Sequence, residues 1–204
     1  MGPAPAIDAG DDGLRRHAGT VDAVRIVAGT ARGRPLRAPA GRDTRPTSDR
    51  VREAVFSMLT SMDAVEGAAV LDLFAGSGAL GIEALSRGAA RATFVDQDRA
   101  AVAAIRANLL MVGDAAERAA VVCTDALRYA ALAATQPVDL TFADPPYRFE
   151  AWAELLGALA ARTGLLVAET GAEWDPGPGW ETVKVKRYGG TVVTVAQPAA
   201  DRTR

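Results

Sequence analysis

The stretch Val70-Leu71-Asp72-Leu73-Phe74-Ala75-Gly76-Ser77-Gly78-Ala79-Leu80-Gly81 constrains the fold more than any other part of the chain. Apolar residues up to Phe74 read as a buried strand, Gly76 and Gly78 as a tight turn, and Ala79-Leu80 as the start of a helix. A strand that passes through a Gly-rich turn into a helix fits an α/β sheet, in which ligands sit at the carboxyl ends of the strands. Glycine has no Cβ, so a ligand can lie against bare backbone there. A second stretch, Asp144-Pro145-Pro146-Tyr147, follows a later apolar run. It places a carboxylate, a rigid bend and an aromatic ring at a strand end. The two stretches are expected to face one pocket.

The chain beyond residue 68 alternates accordingly. Expected strands are Val70 to Phe74, Arg91 to Val95, Ala119 to Cys123, Val138 to Ala143 and Leu165 to Glu169. Expected helices are Ala79 to Ser86, Ala100 to Leu110, Leu127 to Ala134 and Phe149 to Ala161. Thr182 to Lys186 and Thr191 to Ala196, joined by Tyr188-Gly189-Gly190, read as a closing hairpin. The expectation is an α/β fold: a mostly parallel, doubly wound seven-stranded sheet with an antiparallel C-terminal hairpin. Upstream, Pro46-Thr47-Ser48-Asp49 reads as a helix start with Thr47 or Ser48 as N-cap. Val51, Val55, Met58, Leu59 and Met62 recur on one face of that helix and leave Arg50 and Arg52 off it. Val24 to Val27, with Gly29, Gly33, Pro35 and Pro39 after it, reads as short strands or a hairpin. The expected organisation is a disordered tail over 1–20, a basic arm over 21–46 and one α/β domain over 47–200.

The formal net charge of -2 hides a local asymmetry. Arg25, Arg32, Arg34, Arg37, Arg42, Arg45, Arg50 and Arg52 stand against only Asp43 and Asp49. Arginine's planar fork suits phosphate, so the arm is read as a nucleic-acid contact through Arg32, Arg34, Arg45 and Arg50. One cysteine, Cys123, and one histidine, His17, leave no Cys/His zinc cluster and no disulfide framework. They also weigh against a Ser-His-Asp or Cys-His mechanism. Cys123 lies in an apolar run and is read as a buried thiol. No apolar run approaches the roughly 20 residues that span a bilayer, and the N-terminus lacks a secretory pattern. A cytoplasmic monomer that uses no metal is expected.

Gly76, Gly78 and Gly81 also satisfy G-x-G-x-x-G, and Asp96 ends the next strand, as in dinucleotide sites. Asp72 argues otherwise. A carboxylate buried inside the strand needs a donor or cation, which the α-ammonium of S-adenosylmethionine supplies and a dinucleotide lacks. Asp72, Asp96 and Asp125 then fall at successive strand ends, suited to an amino group, ribose hydroxyls and an adenine amine, with the Ala126 backbone completing the last contact. Asp125 equally suits a helix N-cap. On the acceptor side, a base amine is a poor nucleophile because its lone pair is delocalised. Asp144 and the Pro145 carbonyl can each accept one amine hydrogen and free that lone pair, since proline offers no competing N–H. Tyr147 can stack on the base.

These two motifs resemble those of the Rossmann-like (class I) S-adenosylmethionine-dependent amino-methyltransferases. Three further stretches, Arg25-Ile26-Val27-Ala28-Gly29, Gly33-Arg34-Pro35-Leu36 and Arg45 to Phe56, are similar to the bacterial 16S ribosomal RNA guanine-N2 methyltransferase family, RsmD. The resemblance covers roughly Val24 to Ala196. It implies transfer of methyl from S-adenosylmethionine to a guanine amine of 16S rRNA in the small subunit. It implies catalysis by Asp144, Pro145, Pro146 and Tyr147. It also implies a cofactor site of Asp72, Phe74, Ala75, Gly76, Ser77, Gly78, Asp96, Gln97, Asp125, Ala126 and Thr47. The acceptor motif is shared by enzymes acting on adenine N6, cytosine N4, guanine N2 and the glutamine amide nitrogen, so it identifies the reaction and not the acceptor, although Asp144 counts against the glutamine enzymes, which usually carry Asn there. An NAD-dependent oxidoreductase and a non-catalytic RNA-binding assembly factor are the competing readings.

Overall fold

The computed structural model describes residues 24–39, 49–132 and 136–200. The tail, Arg42, Arg45 and the expected helix start at Pro46-Thr47-Ser48, with Thr47 as a cofactor residue, lie outside the described residues.

Among the described residues, seven strands form one sheet in the order β3-β2-β1-β4-β5-β7-β6. They are β1 (Ala69–Leu73), β2 (Arg91–Asp96), β3 (Ala119–Cys123), β4 (Val138–Ala143), β5 (Thr163–Thr170), β6 (Trp180–Tyr188) and β7 (Thr191–Pro198). β1 to β5 are mutually parallel, whereas β7 runs antiparallel to both β5 and β6. The hairpin strands are longer than expected. Each pairs with its neighbour beyond the apolar positions that mark it in sequence, so ladder hydrogen bonds and not side-chain pattern set the ends.

Helices α1 (Asp49–Ser61), α2 (Ala79–Ser86), α3 (Arg99–Leu110), α4 (Ala126–Ala130) and α5 (Trp152–Leu159) cover the sheet. One core carries Val55, Phe56, Leu59, Ile82, Phe94, Ile105 and Phe142, and the other carries Leu71, Leu73, Leu155, Leu159, Leu166 and Ala196. Phe56 of α1 lies 5.6 Å from Phe142 of β4, which seats α1 on the sheet. α4 stops at Ala130, short of the expected Ala134. α5 starts at Trp152, three residues later than expected, because Phe149 turns into an aromatic contact instead.

The basic arm is not a separate element. Its expected hairpin is present among the described residues: Arg25 bridges Pro35 in antiparallel sense, the Leu36 amide donates to the Val24 carbonyl at 2.7 Å and the Ile26 amide to the Arg34 carbonyl at 3.0 Å. Val24, Ile26, Ala31 and Leu36 enter the same core as α1 and α2. Gly29 adopts φ +83, and a Cβ there would stand 1.8 Å from the Ser86 carbonyl oxygen, so only glycine permits this approach to α2.

Two residues sit where periodicity did not put them. Arg52 is fully buried, not solvent-facing. The arm covers the side of α1 that its own apolar stripe leaves polar, and Arg52 donates there to the Arg25 carbonyl and to Asp49. Cys123 is exposed, not a core thiol. It is the last residue of β3, an edge strand of the sheet.

Candidate active site

β1 lies between β2 and β4, so their carboxyl ends open the crevice where strand order reverses. β1 stops at Leu73 because Phe74 takes φ +58, a left-handed conformation that L side chains rarely adopt. Gly76 and Gly78 follow at φ +56 and +77, and the Gly78 amide donates to the Ala75 carbonyl at 2.7 Å. The third glycine has a different task. A Cβ at Gly81 would stand 2.3 Å from the buried Phe94 ring, so Gly81 lets α2 press onto β2.

Asp72 is buried beneath this turn, and its Oδ2 accepts from the Gly81 amide at 2.9 Å. The fold therefore supplies one donor that the sequence reading sought in the ligand. One hydrogen bond does not offset burial. Desolvation pushes the Asp72 carboxyl up to about 8; the Gly81 amide opposes this and the Asp144 and Asp96 charges add to it. The unfolded chain gives up this proton near 3.8, whereas the fold keeps it until about 8. Stability from this group is thus full below 3.8 and lost as pH rises to about 8. Asp72→Asn keeps an acceptor for Gly81 and cannot ionise. It is expected to melt higher than the wild type at alkaline pH, to converge with it in acid, and to bind a cationic ligand more weakly. A melting difference independent of pH would refute this account.

Asp96 ends β2 with both oxygens engaged. Oδ2 accepts from the Gly76 amide and Oδ1 from the Asp98 amide, each at 2.9 Å. Asp96 therefore braces the Gly-rich turn as well as facing the crevice. Asp125 caps α4, accepting from the Arg128 amide at 3.0 Å. Both carboxylates line one cleft with Phe74, Val95, Gln97, Ala126 and Pro146. This cleft gathers Phe74, Asp96, Gln97, Asp125 and Ala126, expected from sequence on three different strand ends, against the Pro-Pro bend. Ala75, Gly76, Ser77 and Gly78 form the turn beside it.

β4 delivers Asp144, which is solvent-exposed and close enough to Asp72 to raise its pKa. The Pro146 carbonyl accepts from the Phe149 amide at 2.9 Å, closing the bend. Tyr147 is 85% exposed. Gly171 lies alongside its ring, where a Cβ would make ordinary contact at 3.6 Å. Sequence reading missed the support of this bend. Phe149 packs edge-on to Phe74 with centroids 5.1 Å apart, Trp152 meets Phe149 at 5.2 Å and Trp174 meets Trp152 at 4.4 Å. This chain of rings joins the Gly-rich turn to the Pro-Pro bend; the signal was Phe74 in the first motif and Phe149 and Trp152 just after the second, whereas Trp174 lies apart in sequence. Of the arginines read as RNA contacts, Arg32, Arg34 and Arg50 are exposed, and Arg34 also donates to the Met111 carbonyl.

The chain is similar to several known proteins. The solved structure of yhhF from Escherichia coli superposes with a TM-score of 0.76 at 35% identity, covering 88% of this chain and 99% of that one. Ribosomal RNA small subunit methyltransferase D of Escherichia coli is 45% identical over 125 residues, an alignment spanning 61% of each protein. YlbH of Bacillus subtilis is 39% identical over 153 residues, 72% of this chain and 82% of YlbH. The profile of the family described as Conserved hypothetical protein 95 matches residues 24–197. The chain belongs to that family, which is the RsmD family.

Proposed function

We propose that this chain is an S-adenosylmethionine-dependent methyltransferase that modifies the exocyclic N2 amine of a guanine in 16S ribosomal RNA. In this reading it acts as a monomer in the cytoplasm on the assembled small subunit. The observation that carries it is the cleft in which Phe74, Asp96, Gln97, Asp125 and Ala126 meet Pro146 of the acceptor bend. Its lining fits the methyl donor. Asp96 and Asp125 offer carboxylates to hydroxyls and an amine, Phe74, Val95 and Ala126 offer apolar walls to a flat ring, and Asp72 lies buried nearby as the counter-charge for an ammonium. The bound donor supplies a methyl group already activated by its sulfonium.

The chain's own residues then align and desolvate the acceptor. Asp144 accepts one amine hydrogen and the Pro145 carbonyl a second, which favours the pyramidal nitrogen. Pro145 is suited to this because the Pro146 carbonyl is already engaged by Phe149. Tyr147, exposed beside the bend, stacks on the base, a contact of about 1–3 kcal/mol. The ribosomal substrate rests on family membership, since the E. coli relative is named for small-subunit rRNA. The exposed arginines of the arm support it. Arg32→Gln with Arg50→Gln is expected to lower the slope of log binding against log salt by about 0.7 per lost phosphate contact. An unchanged slope would remove those residues from the interface.

The deciding experiment offers labelled S-adenosylmethionine with unmodified 30S particles, free 16S RNA and DNA, and identifies the modified nucleoside by mass. Label in N2-methylguanosine of the particle is expected. Label in adenine, or in DNA alone, would redirect the reading to another base.

A further inference from the structure

Asn108 sits in the buried stripe of α3 with Ala101, Ala104 and Ile105, and none of its surface is exposed. Asparagine is a poor helix former and an unlikely core residue unless each polar group is met. Here each is met by backbone from two distant segments. Oδ1 accepts from the Arg37 amide at 2.8 Å, and Nδ2 donates to the Arg37 carbonyl at 3.0 Å and the Ser77 carbonyl at 2.9 Å. One side chain thereby holds both backbone groups of an arm residue and one carbonyl of the Gly-rich turn. The buried Leu36 and Pro39 flank Arg37, while the Arg37 side chain is exposed. Its guanidinium makes no ion pair among the described residues, and the backbone contacts to Asn108 place it next to the cofactor-side turn.

Resting on the reading above that the substrate is RNA, we propose that Arg37 binds a phosphate of that RNA beside the Gly-rich turn, with Asn108 as its positioning residue. Three facts support this. An arginine fork suits phosphate. The residue is fixed in the backbone at both hydrogen-bonding groups while its side chain is left to solvent. The same amide that fixes it also fixes the turn at Ser77, so the phosphate site and the cofactor site share one rigid support. A solvated surface arginine would need no such double anchorage.

The test is a double-mutant cycle on full-length protein with 30S particles as substrate. Arg37→Gln is expected to raise KM for the particle about three- to tenfold, to lower the salt slope by about one unit or less, and to leave S-adenosylhomocysteine affinity unchanged. Arg37→Lys is expected to recover part of the loss. Asn108→Asp keeps the acceptor but sets an oxygen against the Ser77 and Arg37 carbonyls. It is expected to weaken S-adenosylhomocysteine binding and raise KM, and Arg37→Gln added to it is expected to cost less than it does alone. Additive effects would make Asn108 a packing residue only. If Asn108→Asp does not fold, Arg37→Gln still decides: an unchanged KM and salt slope would overturn the phosphate site. A wild-type protein that transfers no label to any RNA would refute the functional reading itself, a distinct failure.

Discussion

Asp144→Ala is expected to lower methyl transfer by on the order of 10²–10⁴-fold, the range removed with a positioned proton acceptor, while the protein still binds S-adenosylhomocysteine. The two effects separate because the cleft is walled by Phe74, Asp96, Gln97, Asp125, Ala126 and Pro146, and Asp144 lies outside that lining. A second consequence is specific to this geometry. The Asp144 charge helps to raise the Asp72 pKa, so its removal should let Asp72 ionise at lower pH. The pH above which cofactor binding becomes tight should then shift downward in Asp144→Ala. Asp144→Asn retains an acceptor oxygen and also removes the charge; it should share the pH shift and keep more activity than the alanine variant. Single-turnover transfer with labelled donor measures the first effect, and calorimetric titration across pH measures the second. Wild-type transfer rates in Asp144→Ala would end the assigned role of Asp144.

Much of this crevice was legible because the residues that form it have strong local signatures. Glycine at positive φ, a Pro-Pro bend and acids at the ends of apolar runs remain visible without tertiary context, and α2, β3 and β4 have the bounds their sequence implies. Errors arose where a neighbour changed the meaning of a local pattern. Arg52 follows no apolar period, yet the arm covers it. Cys123 sits in an apolar run, yet that run is an outer strand. Phe74 ends β1 a residue early because the turn forces it to positive φ, which no strand propensity registers. Asn108 looks like a flaw in an Ala-rich helix until its two partners, 71 and 31 residues away, are in place. The arm shows the point at larger scale: its arginines advertised a surface, but its alternate apolar residues made it part of the core.

Replacing Glu83 with alanine is expected to be the most destabilising single change outside the apolar core. Glu83 is on α2 and has no exposed surface. Its carboxylate accepts from the Val27 amide at 2.7 Å and the Ala28 amide at 2.9 Å, and pairs with Arg87 at 2.7 Å and with the buried Arg52 at 3.8 Å. Truncation leaves the buried Arg52 guanidinium with Asp49 as its remaining counter-charge, strips Arg87 of its partner and leaves two arm amides without acceptors. Breaking a buried pair in this way costs about 3–5 kcal/mol, against a total stability of about 5–15 kcal/mol for a typical domain. At about 2–4 °C per kcal/mol for a chain of this size, Tm should fall by roughly 6–20 °C. Glu83→Gln keeps an acceptor for one amide and should lose less. Replacing Arg52 and Glu83 together by leucine should restore part of the loss but not all, because the Val27 and Ala28 amides stay unmet. Limited proteolysis gives the local readout: cleavage within residues 24–39 should precede cleavage of the sheet in Glu83→Ala and not in the wild type. The functional corollary follows from the same contacts. An arm released from α2 no longer holds its arginines in place, so KM for the RNA particle should rise at temperatures where the cofactor still binds. A Glu83→Ala protein that melts within a degree or two of wild type would show that apolar burial of Val24, Ile26 and Leu36 alone seats the arm.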